Sequence, residues 1–194
     1  MKPLKLLLLA SGRGSHAVNL IEATRCGQIE GEVIRLVSDR PDAPALESAR
    51  ALGVPTTVLQ PFRPGARLAP EAEAELLQIV DKDAPDLIAL CGFMRILRKS
   101  FLDRVRAPIL NVHPSLLPDF PGLEPQRRAI EAGVETTGVT VHRVDPGMDT
   151  GPIVVQAATK ILPGETAEAL AERLLPIEHR LYVEAIQRIQ QEKT

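Results

Sequence analysis

The chain has 194 residues, which suits one domain with a sizeable core, and 44% of them are hydrophobic. Its formal charge of −2, with acids and bases interspersed, leaves no basic stripe of the kind nucleic acid requires, and no apolar run is long enough to cross a membrane. With no Trp, one Tyr and four Phe, the core must be built from aliphatic side chains.

The first element is the apolar run Leu4–Ala10. A lysine precedes it, as in a secretory signal, but Leu6–Ala10 is too short for that and glycines with an arginine follow at once. It predicts a strand buried on both faces, in a cytoplasmic protein. His16–Cys26 carries Val18, Ile21 and Ala23 at helical spacing, and Gly27 ends that helix. Val33–Val37 predicts a strand, Ala43–Leu52 a helix closed by Gly53, and Pro55–Leu59 a short strand. Residues 60–70, with three prolines, form a loop open to movement. Glu71–Asp83 is amphipathic, with Ala72, Leu76, Ile79 and Val80 on one face. Asp86–Cys91 and Ile109–His113 predict strands, 116–124 a Pro/Gly-rich loop, and Pro125–Ala132 a helix. Val139–Val144 and Ile153–Leu162 predict two further strands, and Thr166–Glu192 a long helical region interrupted near Pro176. The β-α-β-α-β first half predicts an α/β fold with a doubly wound, mostly parallel sheet, as a single domain over 1–194. Cys26 and Cys91 form no C-x-x-C pattern, and the expectation is two buried thiols in a reducing compartment.

Three segments carry chemistry. The turn Ser11-Gly12-Arg13-Gly14-Ser15-His16 brings backbone amides to a helix N-terminus, which favours an anion such as phosphate. Gly12-x-Gly14-x-x-Ala17 with Asp39 also fits the permissive dinucleotide fingerprint, and a plain tight turn is the third reading. On the strand Ile109–His113, Asn111 and His113 are two apart and share a side, and Pro114 stops the strand there. An amide beside an imidazole suits a carbonyl reaction, holding a developing oxyanion and moving a proton. The alternative is a polar pair satisfied by local loop backbone. Asp149 lies in a Gly/Pro-rich loop between two strands, where a carboxylate would orient His113 and raise its pKa. Asp145 competes for that role, but it precedes Pro146 and is more simply a turn residue. His142, mid-strand, reads as structural. No pair of histidines has metal-ligand spacing, so no metal is expected.

Cys91-Gly-Phe-Met-Arg-Ile-Leu97, Asn111-Val-His-Pro-Ser-Leu-Leu-Pro118 with Phe120-Pro-Gly122, Gly138-Val-Thr-Val-His142 and Asp149-x-Gly-Pro152 together resemble the folate-dependent formyltransferases. The resemblance runs in the same order over nearly the whole chain. It implies a Rossmann-like formyltransferase fold and transfer of a formyl group from the co-substrate 10-formyltetrahydrofolate to an amine. The expected acceptor is glycinamide ribonucleotide of purine biosynthesis. By the same resemblance Asn111, His113 and Asp149 are the catalytic trio. Gly14 and Ser15, with His16 beside them and Arg67, hold the substrate phosphate, and Glu178 holds the ribose hydroxyls. Met94, Arg95, Ile96 and Leu97, with Val144 and Asp145, line the folate pocket, and Gly92 and Pro114 border the meeting point of the two ligands. The partners expected are small molecules, with no nucleic acid or membrane, for a monomer or homodimer.

Three departures fall on the amine side: His16 where the family has Asn, Glu124 and Gln126 where it has histidines, and apolar Leu175 where it often has Gln or Lys. A formyltetrahydrofolate hydrolase or a formyltransferase of another amine is therefore the alternative. The hydrolase usually adds an N-terminal domain and the methionyl-tRNA enzyme a C-terminal one. With a first strand at Leu4 and an end at Thr194 neither is expected, although 125–138 is similar to the tRNA enzyme in places. Outside the family, a dinucleotide-dependent oxidoreductase leaves Asn111–Pro118 unexplained, and the departures admit a non-catalytic binding protein.

Overall fold

Leu6, Leu7, Leu8 and Leu9 are fully buried, so the first strand, β1 (Leu4–Ala10), is covered on both faces. Each such leucine contributes about 1.5–3 kcal/mol of transfer free energy, which makes this strand the natural centre of a core. The computed structural model describes residues 3–192. Its further elements are α1 (Ser15–Arg25), β2 (Gly31–Ser38), α2 (Pro44–Ala51), β3 (Thr56–Val58), α3 (Pro70–Asp83), β4 (Leu87–Leu90), α4 (Lys99–Leu102), β5 (Ile109–His113), α5 (Pro125–Glu131), β6 (Thr136–Arg143), β7 (Ile153–Lys160) and α6 (Ala167–Glu192). The strand order is β3-β2-β1-β4-β5-β6-β7. The α/β class and the mostly parallel sheet follow the sequence expectation. The chain divides into two compact units, one through Leu110 and one from Asn111.

In the first unit β1 pairs in parallel with β2 and β4, and β2 with β3. α1 buries Ala17, Leu20, Ile21 and Ala23, and Gly27, at φ 78°, takes the left-handed turn that stops it. That ending leaves Cys26 exposed at the helix terminus, which corrects the expectation of two buried thiols; only Cys91, just past β4, is buried. α4 falls where no element was predicted. One turn is too short to show a periodicity, and its one buried side chain is Phe101.

In the second unit β6 and β7 are antiparallel, with Thr136 opposite Lys160 and Val141 opposite Val155. α6 packs against both and buries Leu170, Leu174, Leu181, Tyr182, Ile186 and Ile189. The expected interruption at Pro176 does not occur: the helix runs unbroken from Ala167 to Glu192. Proline removes one N–H and crowds the carbonyl one turn earlier, here that of Glu172. Glu172 and Pro176 are both exposed, so the crowded side of the helix faces solvent, while the buried face on either side keeps the axis together.

Candidate active site

The second unit gathers its polar side chains around Asp149. β5 ends at His113, which is buried, and Asn111 is two residues before it on the same strand. Asp149 sits in the loop between β6 and β7 with φ 54°, a left-handed conformation that aspartate tolerates better than most residues. Its Oδ2 accepts the Gly122 amide at 2.8 Å and lies 3.4 Å from His113 Nδ1. Its Oδ1 lies 3.4 Å from Asn111 Nδ2 and 3.5 Å from His142 Nε2. Asn111 Nδ2 is also 3.3 Å from His142 Nε2. One carboxylate thus meets two imidazoles, an amide and a backbone N–H.

The hydrogen-bond directions follow from what each atom is able to do. His142 Nδ1 lies 2.9 Å from the Arg143 carbonyl, so it carries a proton, and Nε2 faces both Asp149 Oδ1 and Asn111 Nδ2, donating to the carboxylate when the ring is protonated. Asn111 Nδ2 donates to Asp149 Oδ1. His113 Nε2 lies 2.9 Å from the Phe120 carbonyl while Nδ1 faces Asp149, so both ring nitrogens face acceptors and a proton on each would satisfy both. Burial alone would raise the Asp149 pKa. The His142 hydrogen bond, the Gly122 amide and the charges of His113 and His142 outweigh it and hold the carboxyl below its ordinary value.

The surrounding loops are fastened. Thr140 Oγ1 on β6 donates to the Ser115 carbonyl at 2.7 Å, and accepts the Leu117 amide at 3.1 Å and Gln156 Nε2 at 2.8 Å. Ser115 Oγ donates to the Asp119 carbonyl at 2.6 Å. Asp145 accepts the Gly147 amide at 3.0 Å and the Thr150 hydroxyl at 2.8 Å, so it shapes the 145–150 loop as a turn residue. A Cβ at Gly151 would stand 1.8 Å from the Arg143 carbonyl, so only glycine lets the chain pass there. Glu178 is buried on α6, and Glu124, at φ 53°, precedes α5.

In the first unit Gly14 takes φ 76° directly before α1, and a Cβ there would stand 2.5 Å from that of Ala45. The glycine is thus required by backbone conformation and by packing. α1 has no side-chain cap and no acid in its first turn, which suits an anion. His16 is half-buried on that turn. Arg67 is exposed, and its backbone bridges that of Ile96, so the structure sets it beside the 94–97 segment. Met94 is exposed and Leu97 buried. Asp39, the acid of the dinucleotide fingerprint, already accepts from Ser11 Oγ and Arg95 Nε through its two oxygens. Among the described residues no group of three or more His, Cys, Asp and Glu is placed to hold a metal ion.

The formyl transferase family pattern matches residues 4–186. The chain belongs to this family. As a formyl transferase it is an enzyme that acts on small molecules with a folate co-substrate. It is 37% identical to the phosphoribosylglycinamide formyltransferase of Escherichia coli over 92% of this chain and 84% of that protein. It is 39% identical to the trifunctional purine biosynthetic protein adenosine-3 of Drosophila melanogaster over 94% of this chain, but spans only 14% of that much longer protein. The crystal structure of glycinamide ribonucleotide transformylase 1 from Symbiobacterium toebii superimposes with a TM-score of 0.88 at 43% identity, covering 95% of this chain and 86% of that one.

His142 is the residue that sequence reasoning set aside. A signal was there: Thr140 and His142 are polar, two apart and buried in a strand whose alternate positions, Val139 and Val141, are apolar. Two buried polar side chains on one strand face need partners, and both have them at this site.

Proposed function

We propose that this chain transfers the formyl group of 10-formyltetrahydrofolate to the amine of glycinamide ribonucleotide, a step of purine biosynthesis. The observation that carries the reading is Asp149 set between His113, His142 and Asn111, in a chain whose relatives are named for this reaction. The amine attacks the formyl carbon, a C–N bond forms, and the carbonyl oxygen becomes an oxyanion. The Asn111 amide and the His113 imidazolium stabilise that charge, and one well-placed donor of this kind is worth about 2.7–4 kcal/mol of barrier. The contacts of Asn111 are long, at 3.3 and 3.4 Å, and His113 Nε2 exchanges the Phe120 carbonyl for the oxyanion. Asp149 holds the His113 ring in place and holds a water that carries the proton from the attacking amine. Collapse breaks the bond to the folate nitrogen, which takes up a proton.

In this reading Gly14, Ser15, His16 and Arg67 hold the phosphate and Glu178 the ribose hydroxyls. Met94, Arg95, Ile96, Leu97, Val144 and Asp145 line the folate pocket, and Gly92 and Pro114 border the meeting point. Asp145 serves through the loop it shapes. The two units act as one formyltransferase domain, which the unbroken family match over 4–186 supports. No metal takes part, and the enzyme works in the cytoplasm on small molecules, without nucleic acid or membrane, as a monomer or homodimer. No helix among the described residues is long and apolar enough to cross a membrane.

The test is a panel of acceptor amines offered with 10-formyltetrahydrofolate, with hydrolysis followed in parallel. The proposal expects glycinamide ribonucleotide to be preferred and hydrolysis to be slow. Preference for another amine, or formate as the main product, contradicts it.

A further inference from the structure

The first unit contains a buried polar network centred on Asp39, a residue to which the reaction above gives no role. Asp39, at the end of β2, is 2% exposed as a side chain, and Arg95, which pairs with it, is 7% exposed. Asp39 Oδ1 accepts the Ser11 hydroxyl at 2.5 Å, and Oδ2 accepts Arg95 Nε at 2.5 Å. Having given its proton to Asp39, the Ser11 hydroxyl accepts the Met94 amide at 2.8 Å. The Ser11 amide donates to the Gly92 carbonyl at 3.2 Å. The turn after β4 is therefore held at Gly92, Met94 and Arg95.

Arg95 carries the constraint onward. Its Nη1 donates to the Gly65 carbonyl, and its guanidinium lies 5.7 Å from the centre of the Phe62 ring. The Ile96 amide donates to the Ala66 carbonyl at 2.8 Å. The Pro-rich segment 60–69 is thus fastened to 94–96. A carboxylate that is 2% exposed, with each oxygen already bonded to its own chain, is closed to a ribose hydroxyl, so the network reads as a brace.

We infer that Asp39 is a positioning residue for the co-substrate: its carboxylate fixes Arg95 directly and the Met94 backbone through Ser11, ordering the folate-binding segment before ligand arrives. The inference rests on the assignment of 94–97 to the folate side. Removing the charge leaves Arg95 without its counter-ion in a nearly closed position, so the side chain turns to solvent and the segment must be ordered by the ligand. Ordering one long side chain and its turn weakens binding about three- to tenfold.

The probe is 5-formyltetrahydrofolate, bound at equilibrium and followed by calorimetry on the intact enzyme. Asp39→Asn is expected to raise its dissociation constant about three- to tenfold, while the KM for glycinamide ribonucleotide stays within twofold. Arg95→Ala is expected to weaken folate binding too, and Asp39→Asn added to it is expected to do nothing more. An unchanged folate affinity with only a lower melting temperature overturns the inference, as does an equal effect in the Arg95→Ala background or an equal rise in the amine KM. If Asp39→Asn does not fold, Ser11→Ala tests the Met94 arm, with the same folate-only loss expected and an unchanged affinity overturning it. Failure of the wild-type enzyme to bind the probe removes the folate assignment itself, a result separable from failure of the brace.

Discussion

Replacing Asp149 by asparagine keeps the shape of the side chain and removes its charge. The Gly122 amide stands 2.8 Å from Oδ2, with His113 Nδ1 at 3.4 Å, and the Asn111 amide stands 3.4 Å from Oδ1. An asparagine must put its NH2 group at one of these two positions. At Oδ2 it meets the Gly122 donor and at Oδ1 the Asn111 donor, so a donor faces a donor either way. The His113 imidazolium also loses its counter-ion. A hydrogen bond to a charged group is worth about 1.5–3 kcal/mol, and two such losses in the transition state come to about 3–6 kcal/mol. At 1.4 kcal/mol per tenfold, kcat falls about 10²–10⁴-fold. The folate KM moves little, because the loss falls on the transition state rather than on binding. Steady-state kinetics of Asp149→Asn, with thermal unfolding to show an intact fold, supplies the assay. A folded variant with kcat within tenfold of wild type refutes the reasoning.

Four other outcomes are expected. His142→Gln loses one imidazole that faces both Asp149 and Asn111, and kcat in the same assay is expected to fall about 10- to 100-fold, the kinetic equivalent of one hydrogen bond to a charged group. Glu165 accepts Arg173 through both carboxylate oxygens, each at 2.7 Å, and the Arg173 hydrogen bonds bring its pKa down to about 2. A depressed folded pKa contributes stability that is complete above the ordinary glutamate value and is lost as pH falls toward about 2. Urea midpoints of Glu165→Gln are therefore expected to fall less steeply than wild type below about pH 4.3. A thiol reagent should modify Cys26 alone in the native protein and both cysteines after unfolding, since Cys91 is buried and burial pushes its thiol pKa up. Pro176→Ala restores a helical N–H at an exposed position and is expected to stabilise the fold by about 1–3 kcal/mol in thermal unfolding.

How much the sequence disclosed depended on how local each cause was. The continuous run Leu4–Ala10 and the amphipathic Glu71–Asp83 state their own structure, because burial sets their pattern directly. Asn111, His113 and Pro114 gave the end of β5 and a paired polar face from spacing alone. Asp145 was legible as a turn residue because a proline follows it, and its loop hydrogen bonds agree. What stayed hidden depended on residues distant in the chain. His142 reads as structural until Asp149 and Asn111 are brought to it. Asp39 fits a ribose-binding motif until Arg95, 56 residues later, occupies it. Pro176 reads as a break because local propensity opposes the helix, and packing of α6 on β6 and β7 overrides it. Cys26 was misjudged because a helix terminus, not the residue type, sets its exposure.

The central claim is that a formyl carbon passes from folate to an amine at the site of Asn111, His113 and Asp149. The most direct measurement uses 10-formyltetrahydrofolate carrying ¹³C in the formyl group, with glycinamide ribonucleotide as acceptor and products read by mass spectrometry. The account predicts label in the formamide of the product, one equivalent for each tetrahydrofolate released, and a loss of that label when His113 is replaced by alanine in a folded enzyme. Label released as formate, or transfer undiminished in His113→Ala, would contradict it.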